Sequence, residues 1–186
     1  MAAERDTSQA QRFLREAIEL AFANVARGGR PFGAVVVRDG EVVATGVNEV
    51  VATLDPTAHA ELLALREAGR RLGTPDLRGC TVYASGHPCP MCLAAMRLSG
   101  VGAVFYAYSN EDGAPHGLST AAIYAELARP FAQQSMTIVH SPPARRAPGS
   151  LRDLATATGG ARRPRGMIGR GCLCRGALFT VPSCEK

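Results

Sequence analysis

Apolar residues in the first 50 positions follow two kinds of spacing. They first recur every three or four residues, which predicts an amphipathic helix that Thr7 or Ser8 caps and Gly28-Gly29 ends. Two valine-rich runs follow, separated by Asp39-Gly40, a pair typical of a tight hairpin turn. The predicted elements are a helix over residues 7–27 and strands at Phe32–Val37 and Glu41–Val47.

After a predicted loop over Asn48–Pro56, the pattern indicates strands that alternate with helices. The predicted helices are Thr57–Leu72, Cys89–Leu98 and Ser119–Ala128, and the predicted strands are Cys80–Ala84, Ala103–Tyr108 and Met136–His140. Such alternation favours an α/β domain whose layers pack around a mixed central sheet.

Charge divides the chain near residue 142. Residues 1–142 carry 12 arginines and 14 acidic residues, whereas residues 143–186 carry nine basic and two acidic residues. We therefore expect one folded domain over 1–142 and a disordered basic tail, rich in Arg, Gly and Pro, over 143–186. An unnatural extension, such as a misread reading frame, is the alternative interpretation of these residues. The three cysteines of the tail are either free thiols or a second metal site: Cys172, Cys174 and Cys184.

The net charge of +5 belongs to the tail, so the domain lacks the basic balance typical of nucleic-acid binding. Nucleic acid would bind only through the tail. No apolar run approaches the ~20 residues of a membrane span, and the charged N-terminus lacks the apolar core of a signal peptide. We expect a cytoplasmic protein with reduced thiols and no membrane contact.

Two short stretches supply residue types that bind a transition metal. Thr57-Ala58-His59-Ala60-Glu61 provides an imidazole and a carboxylate, and Pro88-Cys89-Pro90-Met91-Cys92 provides two thiols. A catalytic zinc uses three protein ligands and keeps a fourth position open for water. We predict that His59, Cys89 and Cys92 bind Zn²⁺. Glu61 is then the catalytic residue that moves protons between water and substrate. Because residues two apart on a helix diverge, His59 and Glu61 can converge only near a helix end.

Each stretch alone has a simpler interpretation. His-x-Glu is common by chance on protein surfaces, and Cys-x-x-Cys also forms redox pairs and halves of structural zinc sites. The order and spacing of the two stretches favour a catalytic zinc, because a redox pair would leave His59 and Glu61 without a role.

Residues 10–140 resemble the cytidine-deaminase-like zinc deaminases, whose signature is His-x-Glu followed by Pro-Cys-x-x-Cys. The likeness is strongest to the branch that holds bacterial guanine deaminases and tRNA adenosine deaminases. It extends through Phe32-Gly33-Ala34-Val35, Gly46-x-Asn48 and Asp55-Pro56-Thr57. The resemblance implies a three-layer α/β/α fold, one Zn²⁺ per subunit and a homodimer. It also implies that Asn48 hydrogen-bonds the base and that Phe32 lines the base pocket. A turn role for Asn48 and core packing for Phe32 are the alternatives.

Two features depart from that branch. His87 stands where the family usually has a glutamate, and either hydrogen-bonds near the zinc or caps a loop. Gly117-Leu118-Ser119-Thr120 lacks the acidic residue that guanine deaminases place there. We expect hydrolytic deamination of a free nucleobase or nucleoside, guanine or a related aminated heterocycle, with release of ammonia. The alternatives are adenosine deamination in tRNA and a non-catalytic protein with a structural zinc.

Overall fold

The computed structural model describes residues 2–142, with side chains from residue 8 onward. The elements lie in a compact unit that spans residues 1–138. They are α1 (Ala2–Ala26), β1 (Gly33–Arg38), β2 (Glu41–Val47), α2 (Val50–Thr53), α3 (Ala60–Leu72), β3 (Cys80–Gly86), α4 (Pro90–Ser99), β4 (Ala103–Tyr108), α5 (Asn110–Gly113) and α6 (Ala121–Leu127). Two 3₁₀ turns follow α5 and α6, at Ala114–His116 and Phe131–Gln133. The predicted tail over 143–186 lies outside the described residues.

The described strands form one mixed sheet in the order β2-β1-β3-β4. β1 pairs antiparallel with both β2 and β3, and β3 pairs parallel with β4. Asp39 and Gly40 turn the hairpin with φ values of 52° and 81°, which is the left-handed backbone that two-residue hairpins require. The predicted α/β domain with a mixed sheet is confirmed.

Alternate residues of β1 face opposite layers of the fold. Ala34 and Val36 join the core that α3 and α4 cover, whereas Val35 and Val37 pack with Phe13 of α1. Helices therefore cover both faces of the sheet, which is the predicted three-layer α/β/α arrangement. β2 approaches α3 closely at Gly46, where a Cβ atom would lie 2.3 Å from the carbonyl oxygen of Ala60.

The predicted strand over Met136–His140 is wrong. These residues form no strand, and Met136, Ile138 and Val139 are exposed. β4 is consequently an edge of the described sheet, and Phe105, Tyr106 and Tyr108 on it are exposed.

Several helices begin at other residues than predicted. α1 already begins at Ala2, so Thr7 and Ser8 lie within the helix and not at its start. The predicted loop after β2 contains the single turn α2. α3 and α4 begin three residues and one residue later than predicted. Within the described part of the chain, no helix has both the length and the apolar character needed to cross a membrane.

Candidate active site

His59, Cys89 and Cys92 meet at the N-terminal ends of two helices. His59 is the N-cap residue of α3, with φ −75° and ψ 150°, and Cys89 is the N-cap residue of α4, with φ −69° and ψ 165°. Cys92 lies in the first turn of α4 and is fully buried. Pro90, rather than Pro88, takes the first helical position, where no N–H is needed. The positive ends of both helix dipoles favour thiolate ligands here.

The three ligand atoms form a nearly equilateral triangle. Cys89 Sγ lies 3.5 Å from Cys92 Sγ and 3.5 Å from His59 Nδ1, and Cys92 Sγ lies 3.6 Å from the same nitrogen. Metal bonds of about 2.0–2.3 Å to a tetrahedral Zn²⁺ imply separations between ligand atoms of roughly 3.3–3.8 Å. The donors therefore fit one face of a zinc tetrahedron. Among the described residues, no other His, Cys, Asp or Glu joins this set.

A turn held by the Asp55 side chain precedes α3, so His59 lies before the helix and not within it. Asp55 Oδ1 accepts hydrogen bonds from the backbone N–H and the hydroxyl of Thr57, both at 2.7 Å. These bonds, helped by the charge of Arg66, lower the pKa of Asp55. Arg66 also donates to the Thr57 hydroxyl at 3.1 Å. Because His59 precedes the helix, its ring can face the same space as Glu61, two positions later.

Hydrogen bonding shifts the pKa values of the two thiols in opposite directions. The hydrogen bond between the two sulfur atoms lowers the pKa of Cys89 to about 4 and raises the pKa of Cys92. The pKa of His59 is raised, chiefly by its hydrogen bond to Cys89. Both sulfurs would bind a zinc ion as thiolates, so metal binding would release protons.

Glu61 lies in the first turn of α3 and is only 7% exposed. Burial raises the pKa of its carboxyl group, and the neighbouring Cys89 charge adds to the shift. A carboxylate of raised pKa beside a metal centre is suited to accept and return protons near neutral pH. The structure thus brings together the four residues that the two sequence stretches single out.

Asn48 follows β2 and is 2% exposed. Its Oδ1 accepts a hydrogen bond from the Val50 N–H at 3.2 Å, which is the turn role considered as an alternative. Its Nδ2 has no partner among the described residues and is not fully buried. One half of the amide therefore holds the turn, and the other half remains available to a ligand.

Phe32 and Asn48 share a backbone hydrogen bond, in which the Phe32 carbonyl oxygen accepts the Asn48 N–H at 3.1 Å. Its half-buried ring packs against the core cluster that contains Cys89 and Cys92. The ring also lines a cavity of about 450 Å³, together with His87 and residues of the loop after β4. Phe32 therefore belongs to the core and to a cavity wall at the same time.

His87 joins the loop after β4 to the segment before Cys89. Its Nδ1 lies 3.1 Å from the Pro88 carbonyl oxygen and 3.2 Å from Asn110 Nδ2. Asn110 Oδ1 accepts the Thr120 N–H at 2.8 Å, which fixes the start of α6. The ring of His87 makes edge contacts with Tyr106 and Tyr124. The described set of metal donors does not include His87.

Sequence reasoning missed two residues that support the site. Asn24 of α1 is buried, and its Nδ2 donates to the carbonyl oxygens of Arg30 and Asn48, both at 2.8 Å. Tyr124 donates to the Pro88 carbonyl oxygen at 2.6 Å. Asn24 interrupts an otherwise apolar helix face four residues before Gly28, and this position could have indicated a buried hydrogen-bonding role. The sequence contains no comparable sign for Tyr124.

Comparisons with known proteins agree with this geometry. Residues 7–108 match the family described as the cytidine and deoxycytidylate deaminase zinc-binding region. The guanine deaminase of Bacillus subtilis is 44% identical over 125 residues, which cover 67% of this chain and 80% of that protein. A crystal structure of guanine deaminase from Bacillus subtilis superposes with a TM-score of 0.73 and 37% identity, over 82% of this chain and 96% of that one.

Proteins that act on RNA are also similar. A tRNA-specific adenosine deaminase of Aquifex aeolicus is 43% identical over 94 residues, which cover 50% of this chain and 62% of that protein. Three donor atoms that can hold a metal ion lie near the buried Glu61, and the family model matches residues 7–108. This chain therefore belongs to the cytidine and deoxycytidylate deaminase family of zinc-binding hydrolases.

Proposed function

We propose that this protein hydrolytically deaminates a free nucleobase or nucleoside, guanine or a related aminated heterocycle, and releases ammonia. The observation that carries the proposal is the buried carboxylate of Glu61 beside three donors arranged as one face of a zinc tetrahedron. The similarity to the Bacillus subtilis guanine deaminase over 80% of that protein supports the substrate class.

The residues divide the reaction between them. Zinc held by His59, Cys89 and Cys92 would supply an activated water at its open position. Glu61 takes a proton from the attacking water at a carboxylate oxygen and returns it to the nitrogen that leaves the ring. Oxygen bonds to the ring carbon, the carbon–nitrogen bond breaks, and the amino group departs as ammonia. Burial of Glu61 keeps its protons from exchanging freely with bulk water.

Asn48 and Phe32 are the proposed substrate residues. The free Nδ2 of Asn48 is a donor for a ring nitrogen or carbonyl oxygen, and the bond of its Oδ1 to Val50 fixes the amide plane. The half-buried ring of Phe32 offers a flat apolar wall to an aromatic base.

Ammonia release by the zinc-loaded protein tests the proposal. The panel holds guanine, guanosine, adenine, adenosine, cytosine, cytidine and aminated triazines. Glu61→Gln, with its zinc content measured, is the catalytic control, because it keeps the shape of the side chain and removes the base. One strong substrate that the variant leaves intact supports the proposal. Full activity of Glu61→Gln contradicts the mechanism, and silence across the panel contradicts the substrate class.

A homodimer in the cytoplasm is part of the same proposal. The open edge of β4, with its exposed aromatic side chains, is an apolar surface that a second copy of the chain could cover. A reducing compartment keeps Cys89 and Cys92 available as ligands. Light scattering of the zinc-loaded protein measures the oligomeric state, and a monomer at all concentrations contradicts the dimer.

Adenosine deamination in tRNA is the second candidate, because a tRNA-specific adenosine deaminase of Aquifex aeolicus is 43% identical over 94 residues. The balance of −2 over residues 1–142 weighs against it, and only residues 143–186 supply positive charge. Gel-shift experiments with tRNA on the full chain and on a variant without 143–186 distinguish the two candidates. Failure of both proteins to bind tRNA eliminates the second one.

A further inference from the structure

Arg30 places a positive charge beside Phe32, whose ring is the proposed contact surface for the base. It is exposed, and its guanidinium carbon lies 5.8 Å from the centre of the Phe32 ring, over the ring face. Arg30 therefore lies directly beside the aromatic side chain that is proposed to contact the base.

The backbone of Arg30 is fixed, although its side chain is exposed. Its carbonyl oxygen accepts two hydrogen bonds of 2.8 Å, one from the Phe32 N–H and one from the buried Asn24 amide. The same Asn24 nitrogen donates to the Asn48 carbonyl oxygen. One buried amide thus sets the mutual positions of Arg30 and the two proposed substrate residues.

The guanidinium has no acidic partner within the described part of the chain. None of the ion pairs among residues 8–142 includes Arg30. The loop segment 117–120 contains Ser119 and Thr120 but no carboxylate. Glu61 is buried, and in the proposed mechanism its carboxylate transfers protons. Asp112 also lines the cavity beside Phe32, but its carboxylate accepts the Ser109 N–H at the start of α5. No described carboxylate therefore neutralises the Arg30 guanidinium.

We propose that Arg30 binds an anionic substituent, a carboxylate or a phosphate, on the aminated ring that this site deaminates. This inference rests on the proposed function and narrows its substrate class. The ring would lie against Phe32 with its amino group towards the zinc, and the substituent would reach outwards to the guanidinium. An arginine donates two parallel hydrogen bonds to a carboxylate or phosphate, which adds geometry to charge.

Binding of charge-matched ligand pairs tests the inference. One pair is 9-(carboxymethyl)guanine and its amide 9-(carbamoylmethyl)guanine, and the other is 8-carboxyguanine and its carboxamide. Within each pair the members have nearly the same shape and differ in charge. Dissociation constants are measured by calorimetry on the zinc-loaded full chain, and ammonia release is measured on the same samples and on guanine. Arg30→Gln is the test variant, and Arg27→Gln is the matched control, because Arg27 is exposed three residues earlier.

In at least one pair we expect the wild type to bind the acid about five- to tenfold more tightly than the amide. Arg30→Gln removes this preference, Arg27→Gln keeps it, and added salt reduces it. Equal binding of acid and amide in both pairs, or a preference that survives Arg30→Gln, overturns the inference and leaves Arg30 as a packing partner of Phe32. Guanine deamination without any charge preference contradicts only this inference. A charge preference without ammonia from any ligand contradicts only the proposed function.

Discussion

The Tyr124 hydroxyl donates a hydrogen bond of 2.6 Å to the carbonyl oxygen of Pro88, the residue that precedes the zinc ligand Cys89. Tyr124 lies on α6, the last α-helix among the described residues, so this bond connects that helix to the metal centre. Mutation of residues that orient metal ligands from outside typically weakens metal affinity by roughly 10- to 100-fold.

We expect Tyr124→Phe to weaken zinc binding by about tenfold, because Pro88 loses its anchor and Cys89 is less well oriented. Competition with a chromophoric chelator measures the affinity. Tyr108→Phe is the control, since Tyr108 is exposed and its hydroxyl has no hydrogen bond within residues 8–142. Unchanged affinity in Tyr124→Phe would rule out this positioning role.

Glu61 should make the metal-free protein less stable at neutral pH. Burial raises its folded pKa above the ordinary value of 4.5, so the unfolded state holds the ionised form more easily. In the presence of a chelator, Glu61→Gln should therefore have a higher Tm than the wild type at neutral pH. The difference should shrink as the pH falls through the raised folded pKa and disappear below 4.5, where the carboxyl group is protonated in both the folded and the unfolded wild type. A Glu61→Gln variant that melts below the wild type at neutral pH would refute this expectation.

Asn24→Ala should lower the free energy of unfolding by about 2–3 kcal/mol, because it leaves the carbonyl oxygens of Arg30 and Asn48 without their shared donor. The KM for the substrate should rise as well, since both residues flank the proposed base pocket. Urea denaturation and steady-state kinetics measure the two effects. Gln11→Ala, at an exposed position on the same helix, should change neither quantity.

Gly46→Ala should cost about 1–3 kcal/mol and reduce zinc occupancy. The added Cβ would lie 2.3 Å from the Ala60 carbonyl oxygen and 2.7 Å from the Ala64 nitrogen, so β2 and α3 must separate. His59 sits at the start of α3 and moves with it. Gly102→Ala is the control, because its Cβ would meet nothing closer than 3.7 Å. Equal stability of the two variants would contradict the close approach as described.

The central hairpin and the alternation of strands and helices could be predicted because their apolar spacing is repeated over many residues. The start of α3 could not, since it depends on whether the Asp55 carboxylate bonds to Thr57 or to solvent. The predicted strand at 136–140 failed for a different reason. Its residues have strand-forming side chains, but a strand also needs a paired neighbour, and spacing carries no information on that.

Only part of the candidate site could be predicted from the sequence. The metal donors and Glu61 stand in two short motifs whose chemistry is specific, whereas the supporting contacts come from distant residues. Asn24 lies 24 positions from Asn48, and Tyr124 lies 36 positions from Pro88. Those contacts depend on how α1 and α6 pack, which local patterns do not encode.

The metal ligands at the two helix starts give zinc a second effect, on folding. A single ion bound to His59 and Cys89 crosslinks positions 30 residues apart and closes the whole segment between them, which contains α3 and β3. Closing such a loop removes conformational freedom from the unfolded chain, much as a disulfide would. In a reducing compartment, where disulfides do not persist, zinc would act as a reversible crosslink in this chain. Zinc supply would then set the amount of folded protein as well as its activity.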